Sequence, residues 1–195
     1  GKEIIPYAVG HDEYKTASYA FGHYWTDIGT IASFFEANLK LTDYLPEFNL
    51  YDNINRVYTN SRMLSPSKIF GTKMNQALVS GGSIIHADEI TRSIIGVRSR
   101  IGKGTTIDHS IIMGIDYYQT LNDLEQNPDL KLLGIGENCR IKNVIIDKNA
   151  RIGDNCVVVG GDQLEDTETD TYCIRQGIII IKKRASIPDD TKIGI

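Results

Sequence analysis

The chain has 195 residues, 41% of them hydrophobic and 24% charged, with a formal net charge of -4. That composition excludes a disordered chain, and the mild negative charge gives no general attraction to nucleic acid or to an anionic membrane. No apolar run approaches the roughly 20 residues that span a bilayer, and neither nucleic acid nor membrane is expected as a partner.

The chain begins Gly1-Lys2-Glu3, without an initiator Met and without the basic and apolar regions of a signal peptide. It therefore reads as part of a longer protein. The first third reads as α/β. Ser18-Tyr19-Ala20-Phe21 and Tyr24-Trp25 are aromatic-rich and suit a strand interrupted by Gly22. Asp27-Ile28-Gly29-Thr30 follows as a turn, with Thr30 placed to cap a helix. Ile31, Phe34, Phe35 and Leu39 then stand at helical spacing, and the helix is expected to fade near Thr42, before Leu45-Pro46. Residues from about 46 to 68 are rich in Asn, Pro, Ser and Tyr and read as a connection.

From Leu78 the period changes. Branched apolar residues recur at Leu78, Ile84, Ile90, Ile95, Ile101, Ile107 and Ile112, then at Ile135, Ile141, Ile146, Ile152 and Val158, then at Ile181, Ile187 and Ile193. Steps of five or six fit neither a simple strand nor a helix. They fit a three-sided coil built on a hexapeptide repeat, with one short strand per side and one apolar side chain turned inward from each. Ile135-Gly-Glu-Asn-Cys139 and Ile152-Gly-Asp-Asn-Cys156 are near-copies 17 residues apart, which predicts Cys139 stacked on Cys156. Gly102, Gly136 and Gly153, each directly after a repeat Ile, suit tight corners. The cysteines, with Cys173, include no CxxC pair and are too few for a disulfide framework; a reducing compartment is expected, and structural zinc is not.

Two segments break the rhythm. Residues 114–131 are polar and tyrosine-bearing, and residues 160–176 hold Asp162, Glu165, Asp166, Glu168 and Asp170. Both read as excursions from the coil.

Several blocks, in this order, resemble ADP-glucose pyrophosphorylases of the plant and cyanobacterial type. They are Ser18-Tyr-Ala-Phe-Gly-His-Tyr-Trp-Thr-Asp-Ile-Gly-Thr30, Phe35-Glu-Ala-Asn-Leu39, Tyr58-Thr-Asn-Ser-Arg62 and Ser65-Pro-Ser-Lys-Ile69. Met113-Gly-Ile-Asp-Tyr-Tyr-Gln-Thr120, Ile145-Ile-Asp-Lys-Asn-Ala-Arg-Ile-Gly153 and Gly177-Ile-Ile-Ile-Ile-Lys-Lys183 follow. The resemblance implies a mainly β fold: a left-handed parallel β-helix over residues 63–195, preceded by a short α/β remnant of a nucleotidyltransferase domain over residues 1–62. It implies a parent enzyme that joins glucose 1-phosphate and ATP into ADP-glucose and pyrophosphate for glycogen or starch synthesis, with this part serving regulation and assembly into a homo- or hetero-tetramer. The parent is expected in a bacterial cytoplasm or a plastid stroma, and this chain by itself is expected to be inactive.

The resemblance also assigns roles. Asp27 falls on a family aspartate that binds Mg2+, and magnesium usually takes only one or two protein carboxylates beside phosphate and water. Trp25, the one tryptophan, reads either as a contact beside the sugar phosphate or as a core aromatic. Lys148 and Lys183 fall on lysines that bind an anionic effector such as 3-phosphoglycerate or phosphate, and an ammonium group suits that task as a compact charge with three donors. Lys182 is the alternative registration for Lys183. His86 and His109 lie in the coil without a third histidine for a zinc triad and read as surface residues. A hexapeptide-repeat acyltransferase and a non-catalytic β-helix scaffold are the competing readings; neither gives residues 1–62 a role.

Overall fold

The computed structural model describes residues 2–127 and 130–194. From residue 68 onward the chain winds into a parallel coil with three strands per turn. One face is a six-stranded parallel sheet that stacks Lys68–Ile69, Ile84–Ile85, Arg100–Ile101, Gly134–Ile135, Arg151–Ile152 and Ser186–Ile187. The other two faces form one continuous sheet, because the strands Lys73–Val79 and Glu89–Ile95 turn the corner between them without ending. They bend at Gln76 and Arg92, whose φ values are +51° and +41°. Face two continues through Thr106–Asp108, Arg140–Lys142, Val157–Val159 and Lys192–Gly194. Face three continues through Ile111–Ile112, Val144–Ile146 and Ile178–Ile181.

The hexapeptide reading is correct, with one change of register at its start. Val79 pairs with Ile95 and Ile85 with Ile101, so the inward positions of the first coils are Val79 and Ile85. Leu78 and Ile84 are one residue out and lie on the outer surface side. Both members of each apolar pair satisfied the spacing, and only strand pairing separates them. Inside the coil Ile85, Ile90, Ile95, Ile101, Ile107, Ile141, Ile152, Ile179 and Ile181 are at most 2% exposed. Each contributes on the order of 1.5–3 kcal/mol by leaving water. Gly102, Gly136 and Gly153 stack as expected, but for space rather than for dihedral angle. A Cβ on Gly102 would sit 2.4 Å from the Gly136 carbonyl oxygen, and one on Gly136 would sit 2.6 Å from that of Gly153. Cys139 and Cys156 are buried in successive coils, and burial pushes the Cys139 thiol up to about 11.

Face three differs from the other two in being apolar on both sides. Its strands present Ile94-Ile95, Ile111-Ile112, Ile145-Ile146 and Ile180-Ile181, one member inward and the other outward. The outer row is covered by helix α2, Ile31–Leu39, which buries Phe35 and Leu39 against Ile111, Ile145 and Ile178. The helix forms where expected. Thr30 Oγ1 accepts from the Ser33 amide, and Ser33 Oγ accepts from the Thr30 amide, closing a capping box. A single 3-10 turn, Lys40–Thr42, ends it. The Phe35 ring meets His109 edge-on, with centroids 5.2 Å apart, and His109 Nδ1 bonds to Asn143 Oδ1 at 2.8 Å.

The expected strand over residues 18–25 is absent, so only the helical half of the α/β expectation for residues 1–62 is realised. A strand gains its ladder from a neighbour, and no strand lies beside this segment among the described residues. The segment instead has a short helix α1, Ile4–Val9, and otherwise runs exposed up to Thr30.

The excursions leave the coil and return to it in register. The first carries a short helix α3, Leu121–Gln126, capped by Thr120 and Asp123. Its far end is held by an ion pair from Lys131 to Asp189 and by Arg151, which donates to the Lys131 carbonyl at 2.7 Å. The second is a β-hairpin, Thr167–Glu168 and Tyr172–Arg175, that extends face three antiparallel to Ile178–Ile181.

Candidate functional site

The corner between face three and face one carries the charged groups. Four successive coils are joined there by backbone bonds: Ile115 donates to Val97 at 2.8 Å, Asn149 to Gly114 at 3.2 Å and Arg184 to Lys148 at 3.0 Å. Arg98, Asn149 and Arg184 turn the corner with φ between +56° and +63°. Lys148 and Lys183, 35 positions apart in sequence, thus lie on neighbouring coils, because residues 160–177 form the hairpin outside the solenoid. Lys182 points elsewhere: its Nζ reaches the Thr169 carbonyl and Glu168 Oε1, tying the hairpin to the coil.

Asp116, in the tyrosine-bearing excursion one coil before Lys148, pairs with that lysine and lies close enough to Lys183 to feel its charge. Its Oδ1 accepts from Lys148 Nζ at 2.7 Å and its Oδ2 from Asn149 Nδ2 at 2.9 Å. The Lys148 bond chiefly, then the Asn149 bond, and the nearby Lys183 charge as well, hold the Asp116 carboxyl below the usual carboxylate range. An open groove beside Lys148 is lined by Thr59, Asn60, Arg62, Ser80, Gly81 and Gly96 among others, so residues 59–62 bring a second cation, Arg62, to the same place. The arrangement offers ammonium, guanidinium and amide donors on a solvent-accessible surface, which suits an anion.

Asp27 and Trp25 do not line that groove. Asp27 is exposed and closes a local turn, its Oδ1 accepting from the Gly29 amide at 3.1 Å. Trp25 is 75% exposed, so it is not a core aromatic of this chain. No group of three or more His, Cys, Asp or Glu side chains among the described residues is arranged to hold a metal ion. His86 is exposed and stacks on Phe70, while His109 is half-buried under Phe35. A separate cleft of about 360 Å³ on face one mixes Arg100, Lys103 and Lys131 with Glu137 and Asp154, and holds none of the expected site residues.

A family model described as the GLGC left-handed parallel β-helix domain matches residues 62–192. The chain belongs to this family. It is the C-terminal region of ADP-glucose pyrophosphorylases, a nucleotidyltransferase family, and the left-handed coil is the fold of that region. In this pyrophosphorylase region the residues missed from sequence are Asp116, Asn149 and Arg62. All three lie inside blocks that already carried the family resemblance, but a contact spanning 32 positions between Asp116 and Lys148 has no local signature.

Proposed function

We propose that this chain is the effector-binding and assembly part of an enzyme that makes ADP-glucose and pyrophosphate from glucose 1-phosphate and ATP. The observation that carries the effector reading is the placement of Lys148 and Lys183 on adjacent coils, with Lys148 and Arg62 lining one open groove. The effector is an anionic phosphorylated metabolite, with 3-phosphoglycerate and inorganic phosphate as the candidates. Each ammonium group near a phosphoryl is worth roughly 1–3 kcal/mol through charge-assisted bonds. Asp27 contributes one carboxylate toward Mg2+, and Trp25 a contact beside the sugar phosphate, in the assembled catalytic domain; the magnesium there offsets charge on the reacting phosphate oxygens. The exposure of both residues is compatible with contacts made by a larger domain. The coil promotes assembly into a tetramer, since its first turn leaves Ile69 47% and Met74 36% exposed where Ile85 and Ile90, stacked on them in the next coil, are fully covered.

Calorimetry on the chain at low salt, with phosphate and with 3-phosphoglycerate, tests the effector reading. Lys148→Ala and Lys183→Ala are each expected to weaken binding about tenfold. Binding that is absent in the unaltered chain, or unchanged in both variants, would leave the two lysines as solvated surface charges.

A further inference from the structure

The Lys148 corner already contains an anion of its own. Asp116 is gripped from two directions: its carboxylate accepts from Lys148 and Asn149, and its amide donates to Asn149 Oδ1 at 2.9 Å. Asn149 is 4% exposed and fixed in the left-handed region at φ +63°, so it forms a rigid cradle. Lys148, by contrast, is a flexible arm. The two carboxylate oxygens fill two donors that an incoming phosphoryl group would use. Asp147, next to Lys148, is engaged locally, its Oδ1 accepting from the Lys148 amide at 2.6 Å.

The grip is exchangeable. The Lys148 and Asp116 side chains are 30% and 38% exposed, and ion pairs open to solvent hold weakly. Charge then decides what can replace Asp116. A singly charged ligand would exchange one carboxylate-like contact for another and gain little. A doubly charged phosphoryl group gains a further interaction with Lys148 and Lys183 together.

We propose that Asp116 is a resident ligand of the anion site, which an external ligand displaces, and that this competition selects doubly charged phosphoryl groups over singly charged anions. The proposal rests on the reading that Lys148 and Lys183 bind an external anion. Displacement also has a mechanical consequence. Asp116 begins the first excursion, and two residues on the Tyr118 hydroxyl donates to the Gly82 carbonyl at 2.9 Å while the Arg98 guanidinium lies 5.6 Å above the Tyr118 ring. Releasing Asp116 removes one of the ties that seat the excursion on the coil.

The test is calorimetry on the 195-residue chain near pH 8, where phosphate is mostly a dianion, with inorganic phosphate and with formate as probes. Asp116→Asn keeps the shape and removes the charge. It is expected to bind phosphate about fivefold or more tightly and to lose much of its preference for phosphate over formate. Asp116→Ala, with circular dichroism showing an intact coil, guards against a folding artefact and is expected to change affinity in the same direction. Equal or weaker phosphate binding by both variants, while Lys148→Ala weakens binding about tenfold in an otherwise unaltered chain, would overturn the resident-ligand proposal and leave the effector site standing. Absence of phosphate binding in the unaltered chain and in both Asp116 variants would overturn the site itself, and the proposal with it.

Discussion

The coil and the segment that precedes it use similar apolar residues to opposite ends. Ile90, Ile95, Ile179 and Ile181 are fully buried, whereas Ile4 is 80%, Tyr19 88%, Trp25 75% and Tyr58 93% exposed. The difference is one of partners rather than of composition. Each coil offers the next a parallel strand edge and an isoleucine to stack on, so every turn satisfies backbone and side chain together. Residues 2–30 have no such neighbour, and α2 escapes their fate because the doubled isoleucines of face three give it a surface.

The strongest challenge to that comparison is a cavity inside the coil. Ile179→Ala removes a fully buried side chain and is expected to cost about 2–5 kcal/mol, read as a lowered urea midpoint with a largely unchanged slope. A cost under about 1 kcal/mol would mean the coils do not depend on close stacking. Next comes the bridge between the two regions. Phe35→Ala is expected to weaken the docking of α2 by about 1.5–3 kcal/mol. Amide exchange would then quicken across Ile31–Leu39 and stay slow in the coil strands. Quickening of both together would show that the helix is part of one cooperative unit with the solenoid. The smallest effect belongs to the exposed segment. Trp25→Phe is expected to shift stability by no more than about 0.5 kcal/mol. As Trp25 is the one tryptophan, native fluorescence should resemble that of the urea-unfolded chain. Strongly blue-shifted native emission would place Trp25 against a surface and erase the contrast.

The sequence alone determined the solenoid, because a hexapeptide period is imposed by local geometry that every coil repeats. The cap at Thr30, the apolar stripe from Ile31 to Leu39, the two excursions and the stacking of Cys139 on Cys156 were legible for the same reason. The strand at residues 18–25 was misread because its aromatic residues report a propensity, and a strand exists only with a partner to pair with. The choice of Val79 and Ile85 over Leu78 and Ile84 needed strand register, since either member of an apolar pair meets the spacing. The covering of face three needed α2 to be seen against it. At the candidate site, sequence supplied Lys148 and Lys183 one at a time. Only the tertiary structure decided that the hairpin stands aside so the two lysines occupy adjacent coils, and that Asp116 reaches across 32 positions to hold Lys148. Repetition writes local rules into sequence, whereas a contact between distant residues depends on how the whole chain winds.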